Sequence, residues 1–192
     1  MAARVYRRHT PSRLLGSERD DDAAVGAHDL VRDESRQFAP RLELGDRAGD
    51  AAAFADCIDA LCEPWRGQGI GAVCGIESRG FIFGAAMARA LDAGFVPLRK
   101  AGKLPPPVVG VDYGLEYGLD RLEIGSDALS PGERVLVVDD VLATGGTLEA
   151  ARRLVERLGA EVMGASVVIE LAVLNGRGKW PAQTPLHTLL TY

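Results

Sequence analysis

The chain lacks any apolar run long enough to cross a membrane, and its N-terminus has no apolar core like that of a secretory signal peptide. Four arginines, at positions 4, 7, 8 and 13, give the N-terminus some likeness to an organellar presequence. An acidic cluster at residues 18–22 follows them too closely for that function, so we interpret this end as solvated and frayed. We expect no membrane partner and a cytoplasmic location.

Cysteine and histidine are scarce. Cys57, Cys62 and Cys74 do not have the spacing of metal ligands, and an odd number of unpatterned thiols is typical of core packing in a reducing compartment. The three histidines, His9, His28 and His187, lie outside every motif described below. We therefore assign none of them a role as metal ligand or general base.

An excess of positive charge is also missing. Charged residues make up 26% of the 192 residues, the formal net charge is −5, and no basic stripe is present. This composition argues against nucleic acid as the main partner. A phosphorylated ligand would have to be bound by a few local groups. The length suits one domain, with or without a small appendage, and is sufficient to bury a core.

What the chain does contain is a distinctive stretch at residues 134–147. Its aliphatic and β-branched start is typical of a parallel strand buried on both faces, and this strand is predicted to end at Asp139 and Asp140. A loop of small and hydroxylated residues follows, and then a helical pattern from Leu148. Two glycines let backbone N–H groups converge beside the helix N-terminus, which predicts a phosphate-binding loop. The loop residues are Ala143, Thr144, Gly145, Gly146 and Thr147.

This loop is not a Walker P-loop, because no lysine follows its glycines. The adjacent carboxylates of Asp139 and Asp140 are suited to accept hydrogen bonds from ribose hydroxyls, or to share a hydrated Mg²⁺ with a second phosphate group. Either dipeptide alone would be an ordinary strand end or turn. The ordered set of strand, Asp-Asp, Thr-Gly-Gly-Thr and helix predicts a sugar-phosphate ligand instead.

A second polar turn follows another predicted strand. Residues Ile70 to Ile76 form this strand, and Glu77, Ser78 and Arg79 lead into a helical run from Phe81 to Leu91. Open α/β sheets bind ligands at the carboxyl ends of their strands, where such turns connect a strand to the N-terminus of the next helix. Arg79 is either an ordinary surface arginine or a bidentate ligand for pyrophosphate, and its place at a helix start favours the second interpretation.

The third predicted strand runs from Phe95 to Leu98. The segment that follows it is basic and irregular. It contains Arg99, Lys100 and Lys103 before a run of prolines, which predicts a mobile flap over a polyphosphate; the alternative is a solvated charged loop. The insertion continues to about Leu122, and a long insertion in a compact domain is more often a lid than a defect.

These motifs carry a resemblance to a known family. The stretch 134–147 resembles the phosphoribosyl-pyrophosphate (PRPP) signature of type I phosphoribosyltransferases, and residues 75–84 resemble the pyrophosphate loop of adenine phosphoribosyltransferases. The resemblance runs from about Asp50 to Tyr192. It implies an α/β fold with a mainly parallel central sheet flanked by helices, an N-terminal hood and a flexible lid loop. We accordingly divide the chain into an N-terminal segment with a divergent hood, 1–49, and a PRPP-binding core, 50–192, with the lid at about 100–122.

The resemblance also implies roles for particular residues. Asp139 and Asp140 would hold the ribose hydroxyls, the loop 143–147 would hold the 5′-phosphate, and Arg79 would stabilise the leaving pyrophosphate. Mg²⁺ would be carried by PRPP, near the two aspartates, rather than by a direct protein site. The remaining substrate-binding residues would be Glu77, Ser78, Lys100, Lys103 and Tyr117, and Glu116 in the lid would act on the base.

The implied reaction transfers the 5-phosphoribosyl group of PRPP to a purine, with adenine as the leading acceptor, giving AMP and pyrophosphate in purine salvage. A homodimer is also implied. The hood departs from the family pattern: Phe38 and Pro40 remain, but Leu42 stands where the family has an arginine that contacts adenine. The alternatives are therefore another or a modified purine base, or a PRPP-binding regulator without turnover. The elements around Lys103 and Glu116 weigh against the regulator.

Overall fold

The computed structural model describes residues 51–115 and 118–192. The predicted hood and the predicted site residues Glu116 and Tyr117 lie outside this part of the chain. The described helices are α1 (Ala51–Cys62), α2 (Gly80–Leu91) and α3 (Gly146–Arg157). The strands are β1 (Ala72–Ile76), β2 (Gly94–Lys100), β3 (Val108–Leu115), β4 (Gly118–Gly125), β5 (Arg134–Leu142), β6 (Glu161–Glu170) and β7 (Leu186–Thr191).

All seven strands join one sheet in the order β3-β4-β2-β1-β5-β6-β7. The five strands from β2 to β7 in that order pair in parallel. Strands β3 and β4 form an antiparallel hairpin, which joins the edge of β2 where Arg99 lies opposite Glu123. The predicted α/β class with a mainly parallel sheet is confirmed.

The central strand β5 separates two hydrophobic clusters, because its successive side chains point to opposite faces of the sheet. Val135 and Val137 pack with α3 on one face, and Leu136 and Val138 pack with α1 and α2 on the other. All four are fully buried. The uninterrupted aliphatic run at the start of β5 thus explains both why this strand is central and why helices cover both faces.

The strand that carries the aspartates is longer than predicted. Strand β5 continues beyond Asp140 to Leu142, because Val141 and Leu142 pair with Ile169 and Glu170 of the neighbouring β6. Helix α3 also begins earlier, at Gly146 instead of Leu148. The phosphate-binding loop predicted from the sequence is therefore shared between a strand end and the first helical turn.

The basic segment is more regular than predicted. Strand β2 extends through Arg99 and Lys100, since both residues pair with β4 in the sheet. Most of the insertion predicted as a lid is the β3–β4 hairpin, so that regular strands occupy residues 108–115 and 118–125. The prediction of an irregular flap is wrong for Arg99 and Lys100, and applies at most to the short connection from Ala101 to Pro107.

Candidate active site

Three loops meet at the carboxyl ends of the adjacent strands β1, β5 and β6, which is where open α/β sheets bind ligands. The turn after β1 approaches β5 closely. A Cβ added at Gly80 would lie 2.9 Å from a carboxylate oxygen of Asp139 and 2.9 Å from the carbonyl oxygen of Val138. Glycine at this position lets the start of α2 press against the aspartates, so the two predicted motifs form one site.

Asp139 and Asp140 differ in their electrostatic surroundings. Arg79 forms an ion pair with Asp140, with 2.5 Å between Nε and Oδ2, and the N–H of Asp140 donates to Oδ1 of Asp139 at 2.9 Å. Burial, together with the neighbouring charge of Asp140, raises the pKa of Asp139 well above its ordinary value. The pair thus offers one carboxylate matched to a cation and one that gains its negative charge at an elevated pH.

Glu77 holds the basic segment in place. Its buried side chain accepts hydrogen bonds from the backbone N–H of Lys100 at 2.9 Å and from Nε of Arg99 at 3.3 Å, and it also pairs with Nζ of Lys103. Burial by itself would raise the pKa of Glu77, but the bonds from Lys103 and Lys100 and the nearby cations lower it below its ordinary value. Glu77 is therefore occupied by protein cations. Ser78, which follows it across a cis peptide bond, is exposed.

Three of the cations predicted to meet the polyphosphate contact carboxylates. Arg79 pairs with Asp140, Lys103 with Glu77, and Nζ of Lys100 lies 2.8 Å from Asp120 on β4. Arg79 is nevertheless 73% exposed, and both lysine side chains are about half exposed. Because exposed ion pairs are weak, a polyphosphate of higher charge is able to compete for these cations.

The predicted phosphate-binding loop, residues 143–147, has backbone geometry that suits an anion site. Gly145 has φ of 76°, a left-handed conformation that suits glycine, and it caps the N-terminus of α3. Gly146 and Thr147 are the first residues of this helix, so their N–H groups belong to the first turn, which has no helical acceptors. Ala143 and Thr144 are the first two residues of the loop and directly follow the end of β5.

The β3–β4 hairpin contacts the same loop through a residue outside the predicted site. The hydroxyl of Tyr113 donates to Asp120 at 3.0 Å and is hydrogen-bonded by Thr147. Burial and the neighbouring Asp120 raise the pKa of Tyr113 to about 12. The hairpin is thus connected both to Thr147 of the predicted phosphate-binding loop and, through Asp120, to Lys100. Sequence analysis missed Tyr113 and Asp120 because neither belongs to a short motif.

The predicted lid residues Glu116 and Tyr117 lie outside the described residues, between the described ends of β3 and β4.

Among the residues that the structure describes, no group of three or more His, Cys, Asp or Glu is arranged to hold a metal ion. None of the described helices is long and apolar enough to span a membrane.

Comparison with known proteins agrees with this geometry. Residues 51–182 match the phosphoribosyl transferase domain family. The adenine phosphoribosyltransferase of Xanthomonas euvesicatoria pv. vesicatoria (strain 85-10) is 55% identical over 162 residues, which cover 84% of this chain and 87% of that protein. The chain belongs to the adenine phosphoribosyltransferase family. The resemblance inferred from the two sequence motifs is confirmed.

Solved structures of this family share the fold. The adenine phosphoribosyltransferase from Rhodothermus marinus DSM 4252 superposes with a TM-score of 0.74 at 53% identity, covering 76% of this chain and 82% of that one. The enzyme from Saccharomyces cerevisiae, complexed with D-2,5-dideoxy-2,5-imino-altritol 1,6-bisphosphate and adenine, gives a TM-score of 0.69 at 44% identity, covering 73% of this chain and 81% of that one. The type I phosphoribosyltransferase fold is therefore confirmed.

Proposed function

We propose that this protein transfers the 5-phosphoribosyl group of PRPP to N9 of adenine, giving AMP and pyrophosphate. The observation that supports the proposal is that two turns, each leading into a helix N-terminus, lie next to the part of β5 that carries one pair of aspartates. The turn 77–80 approaches Asp139 at Gly80, and the loop 143–147 follows the same strand after Leu142. PRPP has a 5′-phosphate and a pyrophosphate, joined through a ribose with two free hydroxyls. These three parts match the two turns and the aspartate pair.

Each group of site residues is assigned to one part of PRPP. The first turn of α3, with Gly146 and Thr147, receives the 5′-phosphate. Asp139 and Asp140 accept hydrogen bonds from the ribose hydroxyls. Arg79, at the start of α2, reaches the pyrophosphate as a bidentate cation.

The chemistry is displacement at the anomeric carbon. The bond from this carbon to the pyrophosphate oxygen breaks and the bond to the base nitrogen forms, so the ribose becomes transiently cationic while pyrophosphate gains negative charge. Asp139 and Asp140 stabilise the first charge and Arg79, Lys100 and Lys103 the second. No covalent intermediate on the protein is required. We assign to Glu116 the removal of the proton from the base nitrogen.

Mg²⁺ fits this site as a partner of the substrate. It usually retains several waters and is bound through one or two carboxylates together with substrate phosphates, and Asp139 and Asp140 offer such a pair. When bound, the ion would neutralise the growing charge on pyrophosphate. The protein residues would orient the metal–PRPP complex.

Binding of PRPP also requires an exchange of ion-pair partners. Lys103 and Arg79 now contact Glu77 and Asp140, and the phosphates of PRPP would take over part of these contacts. The carboxylates keep the cations at the mouth of the site, so the loss of freedom on ligand binding is reduced. We further infer a cytoplasmic homodimer in which residues 1–49 precede the core as a hood; light scattering tests the dimer.

The acceptor base is tested with a panel of purines. The purified protein is incubated with PRPP, Mg²⁺ and each of adenine, hypoxanthine, guanine and a modified adenine, and pyrophosphate release is measured with chromatographic detection of the nucleotide. Adenine is expected to react fastest. If another base reacts and adenine is inert, the adenine assignment is wrong while the PRPP chemistry stands. If no base reacts although PRPP binds, the protein is a PRPP-binding regulator.

A further inference from the structure

The segment that follows β6 lies directly against the phosphate-binding loop. Two short 3-10 helices occupy it, Ala172–Leu174 and Gly176–Lys179. A Cβ added at Gly176 would lie 2.1 Å from the carbonyl oxygen of Ala143 and 2.8 Å from the nitrogen of Gly145. In the other direction, a Cβ added at Gly145 would lie 2.3 Å from the carbonyl oxygen of Gly176. The two backbones therefore touch with no room for a side chain on either.

A buried carboxylate outside the proposed chemistry fixes this segment. Glu170 is the last residue of β6 and pairs with Leu142 of β5, one residue before the loop begins. Nε of Arg177 donates to its two oxygens at 2.9 and 3.1 Å, and a second guanidinium nitrogen also pairs with it. The third guanidinium nitrogen of Arg177, Nη1, donates to the carbonyl oxygen of Leu186 at 2.9 Å.

This geometry restricts how Gly176 can move. A bidentate guanidinium–carboxylate pair has a defined orientation, and its carboxylate is anchored to the same pair of strands that carries the phosphate loop. Since Gly176 directly precedes Arg177, the ion pair holds its backbone against Ala143 and Gly145. The loop is thus supported through its backbone by the segment that follows β6.

We propose that Gly176, held by the Arg177–Glu170 ion pair, is a positioning element that fixes the backbone of residues 143–145 in the shape that receives the 5′-phosphate. Gly176, Arg177 and Glu170 do not touch the substrate; they act through the loop. A prearranged loop binds its anion without first losing conformational freedom, which strengthens binding. The inference rests on the proposed function, because it assumes that this loop binds the 5′-phosphate of a nucleotide.

The test compares two glycines of the same 3-10 helix. Non-bonded carbon and oxygen atoms approach to about 3.3 Å, so Gly176→Ala must displace the loop by roughly 1 Å. At Gly178 the nearest atoms to an added Cβ belong to the flexible side chain of Asn175, at 3.3 Å, so Gly178→Ala is the matched control. Binding of AMP and of pyrophosphate with Mg²⁺ is measured by calorimetry for the parent and both variants.

We expect Gly176→Ala to weaken AMP binding by about 10- to 100-fold, since a displacement of about 1 Å has effects of that order, while pyrophosphate binding changes by less than about threefold. Gly178→Ala should change neither by more than about threefold. Arg177→Gln should weaken AMP binding, and Arg177→Lys should restore part of it because a cation remains near Glu170. The Arg177 variants add no atom to the loop, so they test the proposal even if Gly176→Ala does not fold.

Three results would overturn the inference. One is AMP binding by Gly176→Ala and Arg177→Gln equal to that of the parent. Another is an equal loss of AMP and pyrophosphate binding in these variants, which would indicate a general structural role. If the parent binds pyrophosphate but not AMP or PRPP, the proposed function itself is wrong, and this inference with it.

Discussion

Replacing Glu77 by glutamine tests how the basic segment is held at the site. The substitution keeps the size of the side chain and removes its charge. In the parent, the buried carboxylate accepts from the N–H of Lys100 and from Arg99, and it pairs with Lys103. The glutamine amide retains one acceptor oxygen, but its NH₂ group would point donors at the N–H groups around it.

The expected loss of stability in Glu77→Gln follows from how exposed the cations that contact Glu77 are. Removing one member of a fully buried ion pair costs about 3–5 kcal/mol. The side chains of Arg99 and Lys103 are 35% and 47% exposed, so water screens them and stabilises them once the carboxylate is gone. We therefore expect Glu77→Gln to lower the free energy of unfolding by about 1–3 kcal/mol. For a chain of this size the corresponding decrease in Tm is about 3–10 °C.

The effect should depend on pH in a defined direction. The pKa of Glu77 is lower in the folded protein than its ordinary value of 4.5, so the folded state binds fewer protons than the unfolded chain. The stabilisation from this carboxylate is complete above that ordinary value and disappears as the pH falls through the lowered pKa. The difference between parent and variant should be constant near neutral pH and become smaller as the pH falls below about 4.5.

Urea unfolding at several pH values measures both quantities. Glu156→Gln is the matched control, because Glu156 pairs with Arg152 one helical turn away and is 46% exposed. Such a pair contributes about 0.5 kcal/mol or less. If Glu77→Gln is no more destabilising than this control, or if its effect does not diminish on acidification, Glu77 does not hold the basic segment electrostatically.

Three further predictions concern ligand binding and turnover. Arg79→Ala should weaken pyrophosphate binding more than AMP binding in calorimetry, because Arg79 lies at the start of α2 and not in the phosphate loop; equal losses would show that the two anion sites are misassigned. Asp139→Asn should raise Tm at neutral pH and abolish PRPP binding. Because the pKa of Asp139 is raised in the folded protein, the free energy of unfolding falls as the pH rises through this pKa, and asparagine, which carries no charge, does not have this cost. A Tm of the variant below that of the parent would contradict the reasoning. Glu116→Gln should decrease kcat by on the order of a hundredfold with little change in PRPP affinity, and a kcat within about threefold of the parent would remove Glu116 from the mechanism.

The core of the fold was predictable because its elements have strong local patterns. The aliphatic run from Val135 to Val138 predicts a buried central strand, and the glycines after it predict a phosphate loop. Strand and helix ends were less predictable. Strand β5 continues past two aspartates because β6 pairs with Val141 and Leu142, and no local pattern reports that pairing.

The contacts within the site were not predictable for a related reason. Lys103 and Glu77 are 26 positions apart, and Arg99 and Glu77 are 22 apart, so their pairing depends on how β1 and β2 lie in the sheet. Sequence motifs identify residues that a ligand would need. They do not show that the same cations contact protein carboxylates when the fold is formed, nor that Arg177 supports the loop from outside the motif.

In the proposed function, one site transfers the phosphoribosyl group of PRPP to adenine and releases pyrophosphate. The most direct measurement follows AMP and pyrophosphate together, in the same reaction of adenine with PRPP and Mg²⁺, using the parent protein and the Asp139→Asn/Asp140→Asn double variant. We predict that the parent forms the two products in a 1:1 ratio and that the double variant forms neither while remaining folded. Equal AMP formation by both proteins, or pyrophosphate release without AMP, would contradict the proposed site.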